Sequence, residues 1–113
     1  MSIERRLHPR IPANWPATLH NVQGSIEGET KDISVDGVFI FLSEKPKFGE
    51  KFPILLEPSE QQTISVVGKK IWSRTFNIDN RPVFGMGAQF MFISPEDRQF
   101  ISTLVEKASG GAP

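Results

Sequence analysis

The sequence predicts an all-β domain with one helix: a six-stranded antiparallel β-barrel carrying a C-terminal α-helix. Three observations predict it. Short runs of alternating apolar and polar residues recur along the chain, bounded by Gly, Pro, Asn or Asp. Asp36-Gly37 stands between two such runs, and this dipeptide marks hairpins because their turns demand φ > 0. Only after Ser94 does the pattern change to a helical period.

Residues 1–12 read as a flexible arm, because Pro9 and Pro12 forbid a regular helix and Pro9 biases His8 towards extended backbone. The barrel with its helix is expected over 13–108. A first strand is predicted over 15–22, with Trp15, Ala17 and Leu19 facing inward. Gly24 and Gly28 flank the next turn, and a second strand follows over 27–34. The Asp36-Gly37 hairpin leads to a third strand over 38–42. A fourth covers 52–57 and is broken by Pro58-Ser59-Glu60. The fifth, 63–74, contains Gly68 as a candidate bulge. A turn over 77–82 leads to the sixth, 83–92, where Gly85 and Gly87 permit close approach. Phe39, Phe41, Phe90 and Phe92 have the spacing of barrel-wall side chains. Ser94 is placed to cap a helix, Pro95 suits its first position, and Glu96 and Asp97 complement its dipole. Phe100, Ile101, Leu104, Val105 and Ala108 then form one apolar stripe. Residues 109–113 read as a disordered tail.

Composition narrows the function. A chain of 113 residues suits one domain and leaves little room for a deep catalytic cleft. It has no cysteine, which removes disulfides and thiolate metal sites and fits a reducing compartment. No apolar leader or membrane-length run occurs in it, so a cytoplasmic location without a membrane span is expected. Basic and acidic residues balance at 13 each, which argues against general affinity for nucleic acid. The charges are unevenly placed. Arg5, Arg6 and Arg10 face only Glu4 in the first ten residues, while Glu27, Glu29, Asp32 and Asp36 outnumber Lys31 over 27–36. A basic arm and an acidic strand are thereby set to attract each other.

Catalysis finds no support. Tyrosine is absent, the histidines are His8 and His20 alone, and no HExxH or phosphate-binding loop is present. No enzyme, metal or cofactor is expected.

Binding is better supported. Arg6 and Arg10 lie four apart on a proline-stiffened segment, with Arg5 adjacent. Guanidinium groups donate paired hydrogen bonds to phosphate or to the O6/N7 edge of guanine, and they stack on bases. Alternation puts Asp32 and Ser34 on one strand face. The carboxylate can accept from a guanine N1–H and amino group, Ser34 can donate or accept, and Gly37 leaves space for a ring. Trp72 and Arg74 share a face of the long strand and are second-tier candidates, the indole for stacking on a base. The residues read as a site for a guanine nucleotide with phosphates.

Arg6-Leu7-His8-Pro9-Arg10 matches the RxxxR motif and Asp32-Ile33-Ser34-Val35-Asp36-Gly37 the [D/N]xSxxG motif of the PilZ domain, in the same order. Gly68-Lys69-Lys70-Ile71-Trp72 resembles a later strand of that family, and 85–97 resembles its last strand and helix start. The resemblance implies a six-stranded barrel with a C-terminal helix that binds cyclic di-GMP. It implies that Arg6 and Arg10 clamp phosphates and guanine edges while Asp32, Ser34 and Gly37 form the barrel side. Arg5, just before the motif, would favour a stacked pair of ligands. With no output domain in the chain, the effect is expected to pass to another protein, in motility, adhesion or exopolysaccharide export. The alternatives are a nucleotide-independent interaction module of the same fold and, with weaker support, a barrel for single-stranded nucleic acid.

Overall fold

Seven strands and one helix follow one another in a computed structural model that describes residues 9–21, 24–45 and 49–108. They are β1 (Ile11–Pro12), β2 (Pro16–Asn21), β3 (Gly24–Ile33), β4 (Gly37–Leu42), β5 (Lys51–Ser59), β6 (Gln62–Ile78), β7 (Arg81–Phe92) and α1 (Pro95–Ala108). Every pairing is antiparallel. The order is β1-β3-β2-β5-β6-β7-β4, and β4 also pairs with β3. The six long strands therefore close on one another as a barrel, which removes its open edges. The short β1 joins β3 beyond the end of β2, with Ile11 opposite Ile33 and Pro12 opposite Asp32.

Strict alternation fills the barrel. Val38, Ile40 and Leu42 of β4 point inward with Ile54 and Leu56 of β5, Ile64 and Val66 of β6 and Met86 of β7, none more than 4% exposed. Ala17 and Leu19 of β2 are buried as predicted, and Trp15 is half-buried with its ring 6.3 Å from that of Phe100. The helix contributes Ile101 and Val105 to the same core. Its stripe ends sooner than the sequence implies, because Ala108 is exposed.

The start of α1 follows the expected chemistry. The Asp97 amide donates to Ser94 Oγ at 3.1 Å, and Arg98 N donates to the Ser94 carbonyl at 2.9 Å. Replacing Ser94 with Ala leaves a helix donor without its cap and is expected to cost about 1 kcal/mol. Equilibrium denaturation in urea measures it as a lower midpoint at unchanged slope.

Several boundaries differ from the sequence reading, each for a local reason. β3 begins at Gly24, so Gly28 lies within a strand rather than beside a turn. Pro58 does not end β5; it sits in an irregular stretch between Leu56 and Ser59 where the ladder register shifts. β6 runs on to Ile78 because the turn is only Asp79-Asn80, both at positive φ (53° and 64°), as tight two-residue hairpins require. The bulge expected at Gly68 is present between Val67 and Gly68, and a second lies between Lys70 and Trp72. Ile11 and Pro12, read as part of the arm, are already in the sheet. Phe92 is 75% exposed and is not a wall residue, while Phe39 and Phe41 lie on the outer side of β4.

Arg5, Arg6, His8 and the 109–113 tail lie outside the described residues. No helix among those described is long and apolar enough to cross a membrane.

Candidate functional site

A groove of about 550 Å³ opens on the outer surface of the barrel where β3, β4, β6 and β7 meet. That volume is within the roughly 300–1,000 Å³ typical of small-molecule sites. Its floor is the backbone of β4 and β7 at Gly37, Val38, Gly87 and Ala88. Asp32, Asp36 and Arg10 stand at the polar end, and Phe39, Ile71 and Trp72 form the apolar wall.

The floor depends on glycine. A Cβ at Gly37 would run into the carbonyl oxygen of Ala88 across the β4–β7 seam. A Cβ at Gly87 would run into Nε1 of Trp72, so only glycine lets the indole lie against the sheet. Gly37 is not at positive φ. The Asp-Gly turn expected from sequence is instead built by the serine: Asp36 N donates to Ser34 Oγ at 3.1 Å, and Ser34 N donates to the Gly37 carbonyl at 2.9 Å. A serine hydroxyl can shape a turn by bonding two residues on, which removes the need for a left-handed glycine.

Ser34 is consequently buried, 1% exposed, and does not line the groove. The sequence reading placed it beside Asp32 as a second polar group on an open face. The structure brings Asp32 to the groove and turns Ser34 inward to hold the loop that carries Asp36 and Gly37.

Arg10 and Asp32 meet across the mouth. Arg10 Nε donates to Asp32 Oδ1 at 2.7 Å, with both side chains partly open to solvent. The bond follows from β1: pairing of Pro12 with Asp32 brings the end of the arm alongside the acidic strand. A guanidinium carries five N–H donors, and the Asp32 bond uses one of them. The segment between β1 and β2 is fixed by buried Thr30, whose Oγ1 accepts from Trp15 N at 2.8 Å and donates to the Ala13 carbonyl.

Trp72 is 37% exposed and tilts against Phe39, ring centroids 4.8 Å apart. The Arg74 guanidinium lies 5.7 Å from the centroid of the Trp72 ring, within cation–π range. Arg74 itself lines a separate recess of about 180 Å³ with Lys45 and Phe84, so it backs the wall rather than facing the groove.

Sequence reasoning missed the side chains of Asp36, Phe39, Ile71 and Gln89 in the lining and the stretch of floor at Val38, Gly87 and Ala88. Gln89 is exposed on β7 opposite Gly37, and its place was readable from alternation with Gly85 and Gly87. Phe39 was assigned to the wall packing alone. Ile71 is 56% exposed because the bulge before Trp72 breaks the alternation there. Among the described residues, no group of three or more His, Cys, Asp or Glu could hold a metal ion.

Comparison with protein families resolves the kinship. The model for the PilZ domain matches residues 4–107. The chain belongs to the PilZ domain family. No curated protein matches it. The solved PilZ domain of YcgR from Escherichia coli, described with c-di-GMP, is 15% identical with a TM-score of 0.73, covering 96% of this chain and 94% of that one. The MrkH–c-di-GMP complex of K. pneumonia has a TM-score of 0.77 at 18% identity, covering 95% of this chain and 54% of the other. The Bacillus subtilis inhibitor of motility MotI/DgrA has a TM-score of 0.74 at 18% identity, with coverage of 96% and 53%. This PilZ chain thus spans about half the length of the MrkH and MotI chains. At these identities the neighbours show a shared fold, the six-stranded barrel with its C-terminal helix.

Proposed function

We propose that this PilZ domain is a receptor for cyclic di-GMP that draws its arginine arm over the ligand and presents the closed form to a partner protein. One observation carries the reading: Arg10 and Asp32 meet at 2.7 Å over a groove floored by glycine and walled by Trp72. A cation for phosphate, an acceptor for the guanine N–H edge, and an apolar wall for the ring lie within one groove. YcgR and MrkH, solved with c-di-GMP, share the fold and support the choice of ligand.

Arg10 and Arg6 would clamp the phosphates, Asp32 would take the base edge, and Gly37 would admit the ring against backbone. Arg5 would add charge for a stacked pair of ligands. Ser34 would serve by holding the turn, and Arg74 by backing Trp72. Closure needs contacts made in one state only, and the arm arginines supply them. The downstream partner would be a protein in motility, adhesion or exopolysaccharide export, acting in the cytoplasm.

A thermal-shift comparison of cyclic di-GMP with GTP and GMP tests the assignment. Ligand at about 100 times Kd stabilises by about 2.7 kcal/mol. For a domain of this size that is a rise in Tm of roughly 10 °C or more. A rise with cyclic di-GMP alone supports the proposal. No rise with any of the three favours a nucleotide-independent interaction module.

Trp72 gives a separate prediction. Stacking on a base is worth about 1–3 kcal/mol, so Trp72→Ala is expected to weaken cyclic di-GMP binding by that amount. Trp72→Phe keeps a π face and should retain most of the affinity. A wild-type Kd for the Trp72→Ala variant in a calorimetric titration would remove Trp72 from the site.

A further inference from the structure

Arg98 stands at the end of the first turn of α1, where the helix dipole disfavours a cation. Its guanidinium spans two acceptors on one loop. Nη1 donates to the Val35 carbonyl at 3.1 Å, and Nη2 donates to Asp36 Oδ1 at 3.5 Å. That loop is the 34–37 turn, whose Asp36 and Gly37 line the groove. The turn is also tied to β7, since Phe90 N donates to the Asp36 carbonyl at 2.7 Å. Arg98 does not line the groove. The turn is therefore held by its own serine, by β7 and by the helix.

We propose that Arg98 is a positioning residue for the ligand groove: it acts from the helix, through the fork to Val35 and Asp36, to fix the height of the turn that carries Gly37. The planar fork is what the geometry requires, because one group must satisfy a backbone carbonyl and a carboxylate oxygen on successive residues. A lysine ammonium supplies the charge without the fork. The cost of a cation at a helix N-terminus is offset by its bonds to the Val35 carbonyl and the Asp36 carboxylate. The role deepens, and rests on, the cyclic di-GMP reading above.

Two measurements on the full chain test it. The first needs no ligand: amide hydrogen exchange in wild type, Arg98→Ala and Arg98→Lys. Exchange at the Asp36 and Phe90 amides is expected to quicken in Arg98→Ala, less so in Arg98→Lys, while the β5–β6 ladder stays as it was. The second is cyclic di-GMP titration at several salt concentrations. Arg98→Ala should bind about three- to tenfold more weakly, the size of one lost net hydrogen bond. Its salt dependence should match wild type, because no phosphate contact is removed. Unchanged exchange at Asp36 and Phe90 in a folded Arg98→Ala protein overturns the proposal. A flattened salt dependence also overturns it, since Arg98 would then touch the ligand itself. Failure of wild type to bind overturns the ligand reading instead, and the exchange data still decide whether Arg98 holds the turn.

Discussion

Replacing Arg10 with Ala is expected to weaken cyclic di-GMP binding by at least about 2 kcal/mol, the range for a hydrogen bond to a charged group. That is roughly a thirtyfold rise in Kd. The guanidinium is bonded to Asp32 through Nε, so Asp32 competes with a phosphate for one of its donors. Magnitudes favour the phosphate. The Arg10 side chain is 46% exposed and that of Asp32 26%, and exposed pairs contribute only about 0–1 kcal/mol. A cyclic dinucleotide offers two phosphates and can accept two parallel bonds from one guanidinium. The Arg10–Asp32 pair is thus weak enough to part, yet it holds the Arg10 side chain at the mouth of the groove. Arg6→Ala is expected to behave like Arg10→Ala. Calorimetry on folded variants measures both, and an unchanged Kd for Arg10→Ala would remove the arm from the site.

Gly37→Ala is expected to damage both fold and site. The new Cβ would meet the Ala88 carbonyl oxygen, which is backbone and cannot rotate away. β4 would have to lift from β7 along one seam of the closed barrel. Overpacking of this kind costs about 1–3 kcal/mol, or more. The melting temperature should fall by roughly 5–15 °C for a domain of this size. Gly49→Ala is the matching control, since nothing lies within 4 Å of a Cβ there. Its effect should stay within about 0.5 kcal/mol, as for ordinary surface changes. Equal melting temperatures for the two variants, measured by scanning calorimetry, would contradict this account of Gly37.

The same glycine shows what sequence could reveal. Gly37 of the [D/N]xSxxG stretch does line the groove, but the turn geometry expected of it is not what the structure shows. Asp-Gly suggested a left-handed turn residue, but the serine makes the turn and the glycine is needed because two strands approach. A close approach between β4 and β7 is a tertiary fact, invisible to local pattern. The barrel strands and the helix start were legible because alternation and capping are local. Pro58 misled because a proline at a ladder irregularity needs no amide partner, so the strand continues. Asp79-Asn80 was hidden inside a longer polar run that looked like a loose turn. In the groove, Asp32 and Trp72 were readable from alternation. Ile71 was not, because the bulge at its position changes the period. Ser34 was misplaced for a similar reason: strand alternation was carried past Ile33, where β3 ends.

In the proposed function, the arginine arm and the β3–β4 turn receive one kind of ligand between them. Calorimetric titration of the wild-type chain with cyclic di-GMP at low and raised salt tests this most directly. Saturable binding that weakens as salt rises is expected, with two ligands per chain held as a stacked pair. One ligand per chain at saturation would contradict the role given to Arg5. Absence of binding at low salt would contradict the claim as a whole.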